Sequence, residues 1–221
     1  MLMSKQKQLF FQIVTYIILL GFSFYCLFPF LWMVVTALKP TDQIRTVTPS
    51  FIVAHPTMEH FINVITQSKF LTYFRNSIFV SVVVTVLSLM ISIFAGYALS
   101  RFIRFRGVKL FSVAMLLSQM IPGVLLLIPL YLTMKDLGLI NTYTSLILAY
   151  TTFTVPLCTF MMKGFFDSIP MDMEEAAEID GCSRVSLIFR ILLPVSLPSM
   201  IAAGMFAFLN SWNEFMFGFV F

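Results

Sequence analysis

Long uncharged, apolar stretches alternate with short polar segments along this chain. Five windows contain no Asp, Glu, Lys or Arg: residues 8–38, 76–100, 110–134, 137–162 and 191–213. Each exceeds the ~20 apolar residues that a helix needs to cross ~30 Å of hydrocarbon. The windows are continuously apolar rather than alternating, which favours spanning helices over a β-barrel. The pattern predicts an all-α membrane protein with five spans, at about 10–37, 77–99, 110–132, 143–162 and 199–221.

The composition agrees with a membrane protein. Hydrophobic residues make up 59% of the 221 and charged residues 11%, which is too few charges to cover the surface of a soluble domain. The first window is too long and uniform for a cleaved signal peptide. Three widely spaced cysteines predict neither a disulfide nor a metal site. The net charge of +4 is not gathered on a soluble face, so no nucleic-acid partner is expected.

The distribution of Lys and Arg predicts the orientation. With the N-terminus inside, nine basic residues fall on inner segments and five on outer ones, and the inner loop 101–109 alone holds Arg101, Arg104, Arg106 and Lys109. We therefore expect one membrane domain, 1–221, with a cytoplasmic N-terminus, an outer loop at 39–75 and a long cytoplasmic loop at 163–198. The chain stops at Phe221 within an apolar run, from which we expect a truncated sequence that lacks a sixth helix.

The cytoplasmic loop is unusually acidic. Six of the ten acidic residues fall between Asp167 and Asp180. Ser168 is expected to cap a helix with Pro170 in its first turn, and Gly181 to end it in the left-handed conformation. A second helix is expected from Ser183 to Leu193, with Pro194 and Pro198 bracketing a turn into the membrane. Helix, glycine corner and helix would form a docking element on the inner face; the alternative is an ordinary solvated helix beside the membrane.

Fixed offsets within this loop carry a family resemblance. The residues are Glu175, Ala176, Ala177, Gly181, Ile191, Leu193 and Pro194. They resemble the signature (EAA) loop of permease subunits in binding-protein-dependent ABC importers. Several segments further resemble the carbohydrate branch, specifically the maltose-type second permease: Pro56-Thr57-x-Glu59, Asn76-Ser77, Tyr97 to Arg101, Ile128 to Tyr131, Leu137 to Thr142 and Trp212 to Phe215.

The resemblance implies the transmembrane domain of a type I ABC importer: a six-helix core, here with five spans, in a bacterial cytoplasmic (inner) membrane. It implies a second homologous permease, two cytoplasmic ATPase subunits, an extracellular or periplasmic solute-binding protein and a lipid bilayer as partners. The first helix of the loop would insert into a groove on an ATPase. The residues expected to couple the two subunits are Glu174, Glu175, Ala176, Ala177, Asp180, Gly181, Arg184, Leu193 and Pro194.

The chain is not expected to be an enzyme. None of its nine glycines begins Gly-x4-Gly-Lys-Ser/Thr, so the loop that cradles ATP phosphates would belong to a partner, with ATP and Mg bound there. No cofactor or metal is expected on this chain. The predicted mechanism is mechanical: closure of the ATPases moves the helix at 170–180, and the Gly181 corner passes that movement to the spanning helices.

Two features within the spans allow more than one interpretation. Small residues from Ser77 to Ser100 recur at three- or four-residue steps, which favours a helix–helix seam over a solute-lining face. Glu214 lies in an apolar run, where an ionisable residue indicates function. With Asn210, Trp212 and Asn213 nearby, it is a candidate for the solute pathway; alternatively it reaches the outer interface beside its Trp. Gln119 is a further candidate.

The rival functions are an ABC permease for a non-sugar solute, an ion-coupled secondary transporter and a membrane scaffold.

Overall fold

The computed structural model describes residues 5–44, 50–53 and 55–221, and all regular structure in those ranges is helical. The chain forms two compact units, Met1–Thr72 and Tyr73–Phe221. Arg45 is one of the five basic residues assigned to outer segments; it lies outside the described residues, as does the N-terminus itself. Within the described ranges, four helical segments are long and apolar enough to cross a membrane: Lys7–Ala37, Phe70–Arg101, Tyr143–Ser168 and Arg184–Trp212.

The first unit contains helix α1 (Lys5–Ala37), α2 (Thr41–Ile44) and α3 (Glu59–Gln67). The apolar window of α1 has no buried share, as expected for a helix that is hydrophobic all round and meant for lipid. The segment predicted as an outer loop, 39–75, is therefore partly helical. This segment ends before the predicted residue 75, because α4 begins at Phe70 rather than near residue 77.

The second unit holds most of α4 and all the later helices: α4 (Phe70–Arg101), α5 (Arg106–Gln119), α6 (Leu127–Asp136), α7 (Tyr143–Ser168), α8 (Met171–Ile179), α9 (Arg184–Leu187), α10 (Leu193–Trp212) and α11 (Met216–Val220). We call the end of this unit that carries Arg101, Ser168 and Arg184 the α8 end. The other end, which carries Asn76, Tyr143 and Trp212, is the Trp212 end.

The third predicted span, 110–132, is not one helix. Helix α5 stops at Gln119, a 3-10 turn covers Gly123–Leu126, and the segments before and after the break are bent by 98°. Pro122 lies in the break: it has no N–H to continue the ladder, and it disfavours the α conformation in the residue before it. The bent pair makes a fifth span only if both halves cross the membrane together.

The expected turn between Pro194 and Pro198 is also absent. Helix runs from Arg184 to Trp212, with a π turn at Ile188–Leu192 between α9 and α10. Pro194 has no N–H to bond the carbonyl four residues earlier, and a π turn next to it absorbs the mismatch without ending the helix. The predicted span 199–221 is also interrupted near its C-terminal end: the helix breaks after Trp212 and resumes as the short helix α11.

Small residues hold α4 against α7. Ser88 Oγ lies 2.6 Å from Thr154 Oγ1, and Ser92 Oγ donates to the Val155 carbonyl at 3.2 Å. Both serines are fully buried. A Cβ on Gly96 would lie 2.8 Å from the Met162 Cβ, so only glycine allows this approach. The predicted helix–helix seam is confirmed from Ser88 to Gly96, whereas Ser77 and Ser81 line a cavity at the Trp212 end.

Candidate functional site

Helix α8 ends in a complete glycine corner. Gly181 has φ +82°, the left-handed region that glycine adopts without a Cβ penalty. Its N–H donates to the Glu178 carbonyl at 3.0 Å, and the Cys182 N–H donates to the Ala177 carbonyl at 3.0 Å. These two bonds are the Schellman pair, which satisfies the last carbonyls of the helix. The predicted left-handed stop at Gly181 is confirmed.

The start of α8 differs from the prediction. Ser168 is the last residue of α7, and its hydroxyl donates back to the Phe165 carbonyl at 2.6 Å. Pro170 occupies the cap position of α8, and no side chain caps that helix. The reason is Ile169, whose extended backbone (ψ 124°) is the conformation imposed on a residue before proline. The extended residue ends α7 and turns the chain into α8.

The two faces of α8 divide the residues predicted to couple. Glu174 and Ala177 are each only 5% exposed and face the bundle. The exposed set is Glu175, Ala176, Asp180, Gly181 and Arg184. The exposed face also carries Ile179, which is 86% exposed. Leu193 is half-buried and Pro194 exposed, but both lie in α10 rather than on the corner.

A buried ion pair fixes the inward face of α8 to α4. Arg101 Nη2 lies 2.5 Å from Glu174 Oε1, and Arg101 Nε donates to the same oxygen at 2.7 Å. The Tyr97 hydroxyl donates to the other carboxylate oxygen at 3.0 Å. The side chains of Arg101 and Glu174 are 8% and 7% exposed. We call Tyr97, Arg101 and Glu174 the latch.

The latch continues into α7. Arg101 Nη2 donates to the Ile169 carbonyl at 3.3 Å, and its Nη1 donates to Ser100 Oγ at 2.9 Å. Ser100 Oγ in turn donates to Asp167 Oδ1 at 2.6 Å, and Lys163 Nζ pairs with Asp167 Oδ2 at 2.5 Å. One polar network therefore joins the ends of α4 and α7 to α8. The sequence marked Arg101 as an orientation signal and as part of a segment that resembles the carbohydrate branch, but it gave no sign of the ion pair, because Glu174 lies 73 positions away.

The far side of the corner is held more loosely. Arg184 Nε lies 3.8 Å from Glu178 Oε1, and the two side chains are 63% and 52% exposed. The Arg184 guanidinium also lies 5.3 Å from the centre of the Phe102 ring. Exposed pairs of this kind contribute little stability. What anchors α9 is the burial of Leu187 in the same apolar cluster as Phe166 and Ala177.

At the Trp212 end, Glu214 has partners other than those predicted. Its carboxylate accepts from the backbone N–H groups of Met216, Phe217 and Gly218, at 2.9–3.3 Å. It also accepts from the Tyr150 hydroxyl at 2.9 Å. The side-chain amides of Asn210 and Asn213, which are close to Glu214 in the sequence, are not among these donors. The physical reason is the helix break: the free N–H groups at the start of α11 are closer donors than the amides on α10.

Two cavities meet at Glu214. One of about 300 Å³ is bordered by Asn210 and Phe153, and one of about 260 Å³ by Asn76 and Trp212. Both are also lined by Tyr150, Ser211 and Glu214. Three of the predicted pathway residues thus line cavities: Asn210, Trp212 and Glu214. Asn213 lines neither of these two, and the Gln119 amide donates to the Phe153 carbonyl at 3.5 Å.

Comparison with known proteins places this chain. Residues 88–220 match the family described as binding-protein-dependent transport system inner membrane component. The chain belongs to this family. The family consists of multi-pass membrane transport components rather than enzymes, and the matched range includes the latch, the Gly181 corner and Glu214.

The names of two relatives of this chain state which sugar compound each of them transports. The chain is 39% identical to the sulfoquinovosyl glycerol transport system permease protein SmoH of Agrobacterium fabrum, over 86% of this chain and 66% of that protein. It is 35% identical to the diacetylchitobiose uptake system permease protein DasC of Streptomyces coelicolor, over 85% of this chain and 67% of that one. The chain thus spans about two thirds of the length of both relatives. The resemblance to the carbohydrate branch is confirmed.

A solved structure supports the fold independently. The chain superposes on a bacterial ABC transporter involved in the import of the acidic polysaccharide alginate, with a TM-score of 0.82 and 23% identity. The match covers 97% of this chain and 74% of that one. The prediction of an all-α ABC importer transmembrane domain is therefore confirmed at the level of the fold.

Proposed function

We propose that this chain is a permease subunit of an ATP-driven ABC importer for a sugar or oligosaccharide. Together with a second homologous permease it would form the translocation pathway, which a solute-binding protein supplies from outside. Its membership of the family and the named substrates of its relatives support this assignment. The membrane is the bacterial cytoplasmic membrane.

The observation that carries the proposal is the two-faced helix α8. Its inward face is tied to the bundle through Glu174, while Glu175 and Ala176 are exposed on a helix whose first turn carries acidic residues. The small Ala176 side chain lets a second surface approach the helix closely. Two cytoplasmic ATPases, which hold the ATP and Mg, are the partners proposed for this face. The basic residues Arg104 and Arg106 lie just after α4, at the α8 end, and support a cytoplasmic location for that end and for the N-terminus.

The helix Arg184–Trp212 offers a physical route from the ATPases to the solute. Its 29 residues extend over roughly 40 Å at 1.5 Å per residue. It begins three residues after the Gly181 corner and ends beside the cavities at Glu214. A displacement of α8 that differs between the ATP-bound and ATP-free states would move this helix and open the pathway alternately to each side.

Co-purification tests the proposal. The chain is co-expressed with the second permease and the ATPase subunit of the importer, and the tagged complex is extracted in detergent. We expect the ATPase to be retained by the natural chain and lost from Glu175→Lys, which reverses a charge on the exposed face. Glu59→Lys, the same reversal on an exposed residue of α3, is the matched control and should retain it.

Uptake into proteoliposomes then tests the cargo. The complex is reconstituted with its solute-binding protein and offered labelled oligosaccharides, amino acids and phosphate in parallel. ATP-dependent uptake restricted to the sugars supports the proposal. A natural complex without ATPase, or uptake driven by an ion gradient without ATP, would contradict it.

A further inference from the structure

We infer that the latch is a coupling device: the Arg101–Glu174 pair transmits the movement of α8 directly to α4 and α7, in addition to the path through the Gly181 corner. This inference rests on the proposed function, because it concerns how the movement of a docked α8 reaches the spanning helices. Arg101, Glu174 and Tyr97 act here as positioning residues, which contact neither solute nor nucleotide.

The two connections of α8 differ in stiffness. On the corner side, a Cβ added at Gly181 would meet nothing within 4 Å, and the ion pair between Arg184 and Glu178 is long and exposed. On the latch side, one carboxylate accepts two hydrogen bonds, from the Tyr97 hydroxyl and from Arg101 Nε, and forms an ion pair with Arg101 Nη2. The latch is therefore the tighter of the two attachments.

Burial makes the latch resistant to opening. Separating Arg101 from Glu174 without letting in water would leave two uncompensated charges in an apolar site, which costs far more than separating an exposed pair. Ala177, one turn further along the same face of α8, packs in the apolar cluster with Phe166 and Ile188. Polar and apolar contacts together make α8 move as one body with the ends of α4 and α7.

Helices α4 and α7 carry that movement to the Trp212 end. Gly96 brings their backbones into close contact, so neither helix shifts without the other. At their far ends, Asn76 of α4 and Tyr143 of α7 are joined by a 2.9 Å hydrogen bond, and both line the 260 Å³ cavity. Trp212, at the end of α10, lines the same cavity. Both routes from α8 therefore converge on one cavity.

The test compares uptake with ATP hydrolysis in the complete importer, reconstituted with both permeases, the ATPases and the solute-binding protein. Glu174→Gln keeps the size of the side chain and removes its charge. We expect it to retain the ATPases and to hydrolyse ATP, while solute imported per ATP falls by about tenfold or more. Glu175→Gln makes the same chemical change on the exposed face. It should weaken retention of the ATPases and leave solute per ATP unchanged in the complexes that remain.

The charge-swapped double variant, Arg101→Glu with Glu174→Arg, separates coupling from simple structural damage. It should import more solute per ATP than either single variant. Natural coupling in Glu174→Gln would overturn the inference, as would loss of the ATPases from that variant, which would place Glu174 in docking. A double variant that accumulates with bound ATPase but is coupled no better than the singles would also overturn it.

If Glu174→Gln accumulates poorly, a conservative variant at Arg101 tests the same contact. Arg101→Lys keeps the charge but loses the planar guanidinium that supplies both the Nε hydrogen bond and the Nη2 ion-pair contact to Glu174. We expect partial loss of solute imported per ATP in this variant, and full coupling would overturn the latch. If the natural complex holds no ATPase at all, the proposed function fails and the latch with it. Each of the other contrary results overturns the latch alone.

Discussion

Replacing Gly96 with alanine should force α4 and α7 apart. The new Cβ would lie 2.8 Å from the Met162 Cβ, 3.0 Å from the Lys163 backbone nitrogen and 3.1 Å from the Thr159 carbonyl oxygen. Carbon atoms in good contact are ~3.5–4.0 Å apart, so the helices must separate by roughly 1 Å. Two of the three obstructing atoms belong to the backbone, which leaves no side-chain rotation to relieve the clash.

The expected cost combines overpacking with strained hydrogen bonds. Overpacking a well-packed site costs about 1–3 kcal/mol, and stretching the Ser92 bond to the Val155 carbonyl weakens a bond whose net contribution is about 1 kcal/mol. We expect Gly96→Ala to lose about 2–3 kcal/mol of folding free energy. At roughly 2–4 °C per kcal/mol, Tm should fall by about 5–10 °C.

Thermal unfolding of the purified protein in detergent measures this shift, with Gly164→Ala as the control. Gly164 lies in α7, and a Cβ there would meet nothing within 4 Å. The same substitution should therefore be neutral or raise stability by up to about 1 kcal/mol through helix propensity. Equal Tm changes in the two variants would refute the close-packing argument.

Three further outcomes are expected. Gly181→Ala and Gly181→Leu should each lower the folding free energy by a similar ~1–2 kcal/mol, because the penalty comes from the positive φ and not from lack of space. Both variants should insert normally into the membrane but import less solute. Gly181→Asn should be the mildest of the three in both Tm and uptake assays. Glu214→Gln should cost about 2 kcal/mol, since three backbone N–H groups of α11 lose a charged acceptor, and an unchanged Tm would contradict this role. Tyr150→Phe removes only one bond to the same carboxylate, so its Tm should fall by less than that of Glu214→Gln.

The local sequence was sufficient wherever one short segment decides the outcome. The apolar windows predicted the spanning helices, and the glycine at 181 predicted the corner, because a left-handed residue after an acidic helix is a local event. The same reasoning was wrong about a turn after Pro194, and it did not foresee how sharply the chain bends at Pro122. One proline breaks a span and the other is absorbed by a π turn, and the difference depends on packing around each segment rather than on the proline itself.

The candidate site was predictable in part. The loop offsets singled out helix α8 as the docking element. The residues expected to couple included both Glu174 and Glu175, although one is buried in the latch and the other is exposed. Two adjacent residues on a helix point about 100° apart, and which of them faces the bundle depends on where the helix docks. Likewise, Glu214 stood out as an ionisable residue in an apolar run, while its role as acceptor for α11 depends on a helix break that the pattern did not reveal.

By itself, the sequence determined that this is a helical membrane protein, which segments are apolar enough to span, and that its acidic loop resembles the signature loop of ABC importer permeases. These properties depend on the cost of charge and unpaired backbone in lipid and on residues a few positions apart. Only the tertiary structure decided that Arg101 meets Glu174 and that Tyr150 meets Glu214. Those pairs join residues 73 and 64 positions apart, and helix packing alone brings them together.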